Sequence, residues 1–337
     1  ADNTAQLDIE AQGQALFEAV DDGDAEVTVW SGEGQNNSAG MTINAAQGLS
    51  ALAESSSDVD IDVAALDAEM DNEAVLDIQA GGEVMLAAAG DSEADAGASA
   101  DGGENNLASV AVSSQDDVKV HSEDYSYADI DAEAGFAENS NIAEVEITAG
   151  DDVEVVADYE SDSEVVAYAS DGENNTANIA INAGDDIRVM AEDYESSAGI
   201  EAAAVHGVEN NAAVDLLANN VYVMAQDGGE SEISALAENS GFHTLTMPLE
   251  EPLPEQLEEP IDTRNSATVS IETFAVEVEE QPDEGPMLQS ELGDIEDELG
   301  DFLDYMLETG GHVAAVSRQG GQAEITSQAR GGSENSA

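Results

Sequence analysis

Residues 175–191 read NTANIAINAGDDIRVMA, one asparagine followed by two apolar–polar alternations separated by GDD. Ile179, Ile181 and Ala183 alternate in the first, and Ile187, Val189 and Ala191 in the second. Side chains two residues apart share a face of a strand, so each triplet marks a short strand with one buried side. The pattern recurs along the chain. Residues equivalent to Ile181 are Ile9, Ile43, Ile78, Val112, Ile147 and Leu216, and successive spacings along the series are 34, 35, 34, 35, 34 and 35. A third alternation completes the repeat, at Val27 and Val29, Ile61 and Val63, Ile130 and Ala132, and Val165, Ala167 and Ala169. Self-similarity at such a period is the signature of a solenoid. The columns match only at the full period, which favours one three-sided coil per repeat over two smaller ones.

Six residues before each anchor stands an asparagine: Asn3, Asn37, Asn72, Asn106, Asn141, Asn175 and Asn210. Parallel coils stack like residues, and an Asn amide can donate to the side-chain carbonyl of the Asn above it, satisfying polar groups buried at a corner. The same offset finds Asn265 before Val269 and Ile271, and Gln319 before Ala323, Ile325 and Ser327. The expected fold is all-β, a right-handed parallel β-solenoid (β-helix) with three strands per 34–35-residue coil and eight to nine coils. Residues 1–240 form seven regular coils, and 241–264 a Pro-rich extruded loop with four of the six prolines. Residues 265–330 hold the last coils, with Gln319 opening the ninth and His312–Ser317 read as a third strand. An amphipathic helix is inserted at 287–308, where Leu288, Leu292, Ile295, Leu299, Phe302 and Met306 recur at helical spacing. It either lies on the side of the solenoid or pairs between subunits. Residues 331–337 read as a flexible tail.

Composition bounds the function. With 77 Asp and Glu against 5 Lys and Arg, the formal net charge is -72. That balance excludes nucleic acid and disfavours an anionic membrane surface, since both would be repelled. No apolar run approaches the roughly 20 residues of a membrane helix, so no membrane insertion is expected. Cysteine is absent, which removes disulfides, thiolate metal sites and cysteine nucleophiles. Residue 1 is Ala rather than Met, and with so few lysines this fits a secreted chain whose signal has been removed, placed outside the cell or at its surface.

Residues 143–158, AEVEITAGDDVEVVAD, and 178–193, NIAINAGDDIRVMAED, resemble the repeats of filamentous-haemagglutinin-type exported adhesins. The likeness covers mainly residues 1–240. It implies a right-handed parallel β-helix at a bacterial surface and carries over no functional residue. The period here is longer than that family's usual repeat, and no secretion-signal domain is recognisable.

No catalytic constellation stands out. His121, His206, His243 and His312 are scattered, and neither HExxH nor GxSxG occurs. The chain is therefore expected not to be an enzyme. Acidic corners are the better candidate: Asp116 and Asp117, Asp151 and Asp152, and Asp185 and Asp186 fall in register, ~5 Å apart once stacked. Such columns read either as a solvated surface suited to salty water or as possible Ca²⁺ sites, since Ca²⁺ takes carboxylate oxygens. The repeat pattern starts at Asn3 and stops after Gln319 with no obvious cap, so the ends are expected to pair head to tail with further copies of the chain. Arg318, Ile325 and Arg330 are the candidate assembly residues, in a segment poor in acid. The leading expectation is a subunit of a self-assembling extracellular filament or matrix. The alternatives are an adhesin or glycan-binding module, contacting glycans or other surface proteins through Tyr125, Tyr127, Tyr159 and Tyr194, and thirdly a polysaccharide lyase-like enzyme.

Overall fold

Every strand of one repeat pairs in parallel with its equivalent in the next, so three alternations per repeat build three sheets of nine, eight and eight strands. A computed structural model describes residues 2–238, 264–273, 312–317, 321–330 and 334–336. The first coil consists of Asn3–Ala11, Gln14–Val20 and Asp24–Gly32, one strand per sheet. Seven coils run on without interruption to Glu238. The eighth takes Arg264–Thr273 into the first sheet, His312–Ser317 into the second and Gln322–Arg330 into the third. One repeat is one physical coil, a parallel β-solenoid.

Alternation places Ile, Val and Ala inside. Ile43, Ile78, Ile147 and Ile181 are at most 2 % exposed and lie one above another. Among the described residues the buried core cluster is built of Ile, Leu, Val, Met and Ala, and the aromatic ring that packs against it is the partly buried Phe17 of the first coil. Where the first sheet turns into the second, coils approach closely: a Cβ on Gly150 would lie 1.9 Å from the Gln115 carbonyl oxygen, and one on Gly184 1.9 Å from that of Gly150. The glycine of the GDD corner is therefore sterically required.

The asparagines form the expected ladder. Each Nδ2 donates to the Oδ1 one coil on, through Asn3, Asn37, Asn72, Asn106, Asn141, Asn175, Asn210 and Asn265, at 3.0–3.4 Å. The same nitrogen also donates to the carbonyl that ends the third strand of its own coil, among them Gly32 (2.6 Å), Leu66 (2.6 Å), Asp101 (2.9 Å) and Glu238 (3.0 Å). Asn265 closes the series on the Arg330 carbonyl. From Asn37 to Asn265 these side chains are at most 2 % exposed, so water cannot replace the bonds.

The C-terminal rungs differ from the sequence reading. Gln319 lies outside the described residues, and the Ala323–Ile325 alternation enters the third sheet, where Ile325 stands opposite Ile233. The ninth first-sheet strand is Glu334–Ser336, with Asn335 in register with Asn265, in the segment expected to be a loose tail. His312–Ser317 belongs to the second sheet, not the third. The cause is a shared pattern: all three strands alternate alike, so after a long insertion alternation alone does not say which sheet the chain rejoins. The expected Pro-rich loop (apart from Arg264) and the helix at 287–308 lie outside the described residues.

Removing one mid-ladder amide strands a donor below, an acceptor above and a strand-end carbonyl. Asn106→Ala should lower stability by about 2 to 4 kcal/mol, whereas Asn3→Ala, half-buried at the first rung, should cost less than about 1 kcal/mol. Thermal or urea melts of the two variants check this, and equal losses would remove the ladder from the stability argument.

Candidate functional site

Three corners and three faces are available to carry function. At the corner from the first to the second sheet, the six candidate aspartates separate into two columns. Asp116, Asp151 and Asp185 form an outer, exposed column. Asp117, Asp152 and Asp186 form an inner one that caps backbone: the Asp152 N–H donates to Asp117 Oδ1 (3.1 Å) and the Asp186 N–H to Asp152 Oδ1 (2.9 Å). Asn220 Nδ2 extends the column by donating to Asp186 Oδ1 at 2.7 Å.

The inner column is also where scarce positive charge is placed. Arg188 reaches Asp152 (2.7 Å), Glu154 (2.7 Å) and Asp186 (2.8 Å) at once. Lys119, the lone lysine, sits 2.8 Å from Glu83 and 3.1 Å from Asp117. Partial burial pushes Asp117 upward, but the Asp152 N–H and Lys119 outweigh it and hold this carboxyl below its ordinary value. In the outer column, Asp151 is raised by local desolvation and by Asp117, Asp185, Asp116 and Asp152 around it. Among the described residues no group of three or more His, Asp or Glu side chains is arranged to hold a metal ion. The inner carboxylates already have protein partners, so a bridging Ca²⁺ is not required there.

A second polar column went unread in the sequence. At the corner from the second to the third sheet, Ser57, Ser92, Ser126 and Ser161 are buried one above another. The N–H of each donates to the next hydroxyl, at 3.2, 3.2 and 3.1 Å. Two successive residues in the left-handed region precede the serine in coils two to five, for example Ser55 and Ser56, Asp124 and Tyr125, and Tyr159 and Glu160, and Asp21 and Asp22 precede Gly23 in the first. Such a conformation costs non-glycine residues energy, and the serine column compensates by satisfying the corner's backbone. The spacing 57, 92, 126, 161 carried this signal.

The faces differ chemically. Outward on the third sheet, Glu26, Asp60, Asp95, Asp129, Glu164, Glu232 and Glu324 share one column, interrupted only by Gly199. Desolvation, then Glu164 and Asp131, push Asp129 up to about 7. Desolvation, then Asp60 and Glu26, push Asp62 up to about 6. Outward on the second sheet, Leu52, Ala87, His121, Val156, Met190 and Met224 share a largely apolar column. Tyr125, Tyr159 and Tyr194 project near the second corner, half exposed, the first two edge-to-face with ring centroids 5.4 Å apart.

Of the candidate assembly residues, Arg318 lies outside the described residues. Ile325 packs against the last coil's half-open core, and Arg330 is exposed at the end of its strand while its carbonyl accepts from Asn265.

Arg188→Gln would leave three carboxylates without their cation and should cost about 2 kcal/mol. NaCl should recover part of the loss by screening, and EDTA should leave the melt of the parent chain unchanged. A melt that EDTA lowers would return these corners to cation binding.

Comparison with known proteins gives no match to any family model, curated protein or solved structure. The likeness to the exported adhesins thus holds at the level of a parallel β-helix repeat.

Proposed function

We propose that this chain is a structural protein of an extracellular filament or surface matrix, built by head-to-tail stacking of solenoids. The observation that carries the reading is the state of the core at the two ends of the described stack. Leu7, Ile9 and Val27 in the first coil are only partly buried, whereas Met41, Ile43 and Ile61 one coil on are at most 1 % exposed. Val269, Ile271 and Ile325 are likewise half-covered in the eighth coil. Among the described residues each of those coils is paired on one side over most of its length, and an edge of this kind can accept a further coil, whether from the same chain or from another copy.

Charge favours a second copy as that coil. Residues 1–32 contain Asp2, Asp8, Glu10, Glu18, Asp21, Asp22, Asp24 and Glu26 and no base. Three of the chain's five bases, Arg264, Arg318 and Arg330, fall within or between the eighth coil's strands. These bases would offset part of the repulsion when a last coil stacks on a first one. Such contact is heterologous and does not close, so it propagates. The extracellular placement is supported by an acidity suited to salt-rich water. A second reading, a glycan-binding surface, is favoured by the exposed Tyr125, Tyr159 and Tyr194.

Negative-stain micrographs at physiological salt should show polymers with an axial repeat of about 40 Å, eight strand spacings. Arg264→Glu combined with Arg330→Glu should leave single particles of unchanged circular dichroism. Single particles from the parent chain, or polymers that survive both substitutions, would overturn the reading; a glycan array tests the second.

A further inference from the structure

Asp62, Gly97 and Asp131 occupy one outward column of the third sheet, on three successive coils, with Asp95 beside them on the strand of Gly97. The glycine leaves a hollow, and three carboxyl groups converge on it. A Cβ on Gly97 would lie 2.5 Å from Asp131 Oδ1, 3.3 Å from Asp62 Oδ1 and 3.4 Å from Asp95 Oδ2. Asp95 Oδ1 and Asp129 Oδ1 are shut off from solvent and have no hydrogen-bond partner among the described residues.

Everything else facing this hollow is acid or neutral. Glu26 and Asp24 approach from the first coil, Asp58 and Asp60 from the second, and Glu93 from the strand of Asp95 itself. Asp129 and Glu133 lie beside Asp131, with Asp162 and Glu164 on the coil beyond. No Lys, Arg or His stands on the outward face of these five strands. Three carboxylates cannot all remain ionised at such range without a cation. A carboxyl proton on Asp95 resolves the contact, because it turns one acceptor into a donor toward Asp62 or Asp131.

We propose that the Asp62–Asp95–Asp131 cluster over Gly97 is a proton-binding site that locks the third sheet across coils two to four, so that mild acid tightens the solenoid and alkali loosens it. Desolvation, followed by the charges of Asp131, Asp62 and Asp129, raises Asp95 furthest, and desolvation also raises Asp131. The unfolded chain releases these protons near pH 3.9. Between that pH and the raised folded values the native state binds more protons than the unfolded one, so stability falls as pH rises. The gain is complete below the unfolded value and is lost as pH climbs through about 6 for Asp62 and through the higher range of Asp95. This slope is opposite to that of ordinary acid denaturation. The site is independent of how copies of the chain associate.

Melting temperatures measured from pH 8 to pH 5, in 0.15 M and again in 1 M NaCl, test the proposal. The parent chain should gain at least about 2 to 4 °C on acidification, and the gain should persist at high salt because buried charges are poorly screened. Asp95→Asn, whose amide supplies the donor permanently, should melt higher than the parent at pH 8 and lose most of the slope. Gly97→Ala, which splits the cluster, should also flatten it. Asp77→Asn, outward on the first sheet, serves as the control that leaves the slope intact. A flat or inverted parent slope, a slope erased by 1 M NaCl, or an Asp95→Asn slope equal to that of the parent would each overturn the assignment.

Discussion

Buried amide hydrogens need partners, and a parallel coil buries its corners at every turn. The asparagine column meets that requirement with one residue per repeat. A single Nδ2 reaches both the side chain above and the carbonyl at which its own coil ends, so the same group closes one turn and sets the register of the next. Register matters because a slip of one residue would turn every alternating Ile and Val outward. The apolar core supplies most of the free energy, but it does not distinguish one coil offset from another as sharply as an amide that fits only opposite its equal.

The other two corners solve the same problem with different chemistry. Serine hydroxyls accept from the N–H one coil below at the second, and aspartate carboxylates accept from the N–H one coil above at the first. Neutral serines can be stacked without limit. Aspartates cannot, and the structure places Lys119 and Arg188 where that column would otherwise repel itself. A chain with five basic residues spends two of them within one corner, which marks the stacking of like charges as the main electrostatic constraint on this fold.

The periodicity of residues such as Ile43 and Asn37 was legible because each position has one role in every coil, and repetition amplifies a weak preference into a pattern. Legibility ended where repetition did. After Thr273 the alternation of Ala323 and Ile325 fitted any of three sheets, and only the pairing of Ile325 with Ile233 distinguished them. The second corner was obscure because Asp124, Tyr125 and Glu160 adopt backbone angles usually signalled by glycine. The carboxyl cluster was hidden for another reason. Among 77 acids no single aspartate stands out, and Gly97 reads as a weak point of a strand until the side chains of the adjoining coils are placed around it.

Because each coil touches only the one before and the one after, the interior of this protein has no centre. A stretch of 34 or 35 residues could be copied or excised within the coding sequence and only a single junction would have to be rebuilt. Core thickness, corner chemistry and face character would be inherited unchanged, and only the length of the rod would differ. Inheritance can therefore tune this molecule as a ruler, in steps of about 4.8 Å, without inventing a new contact.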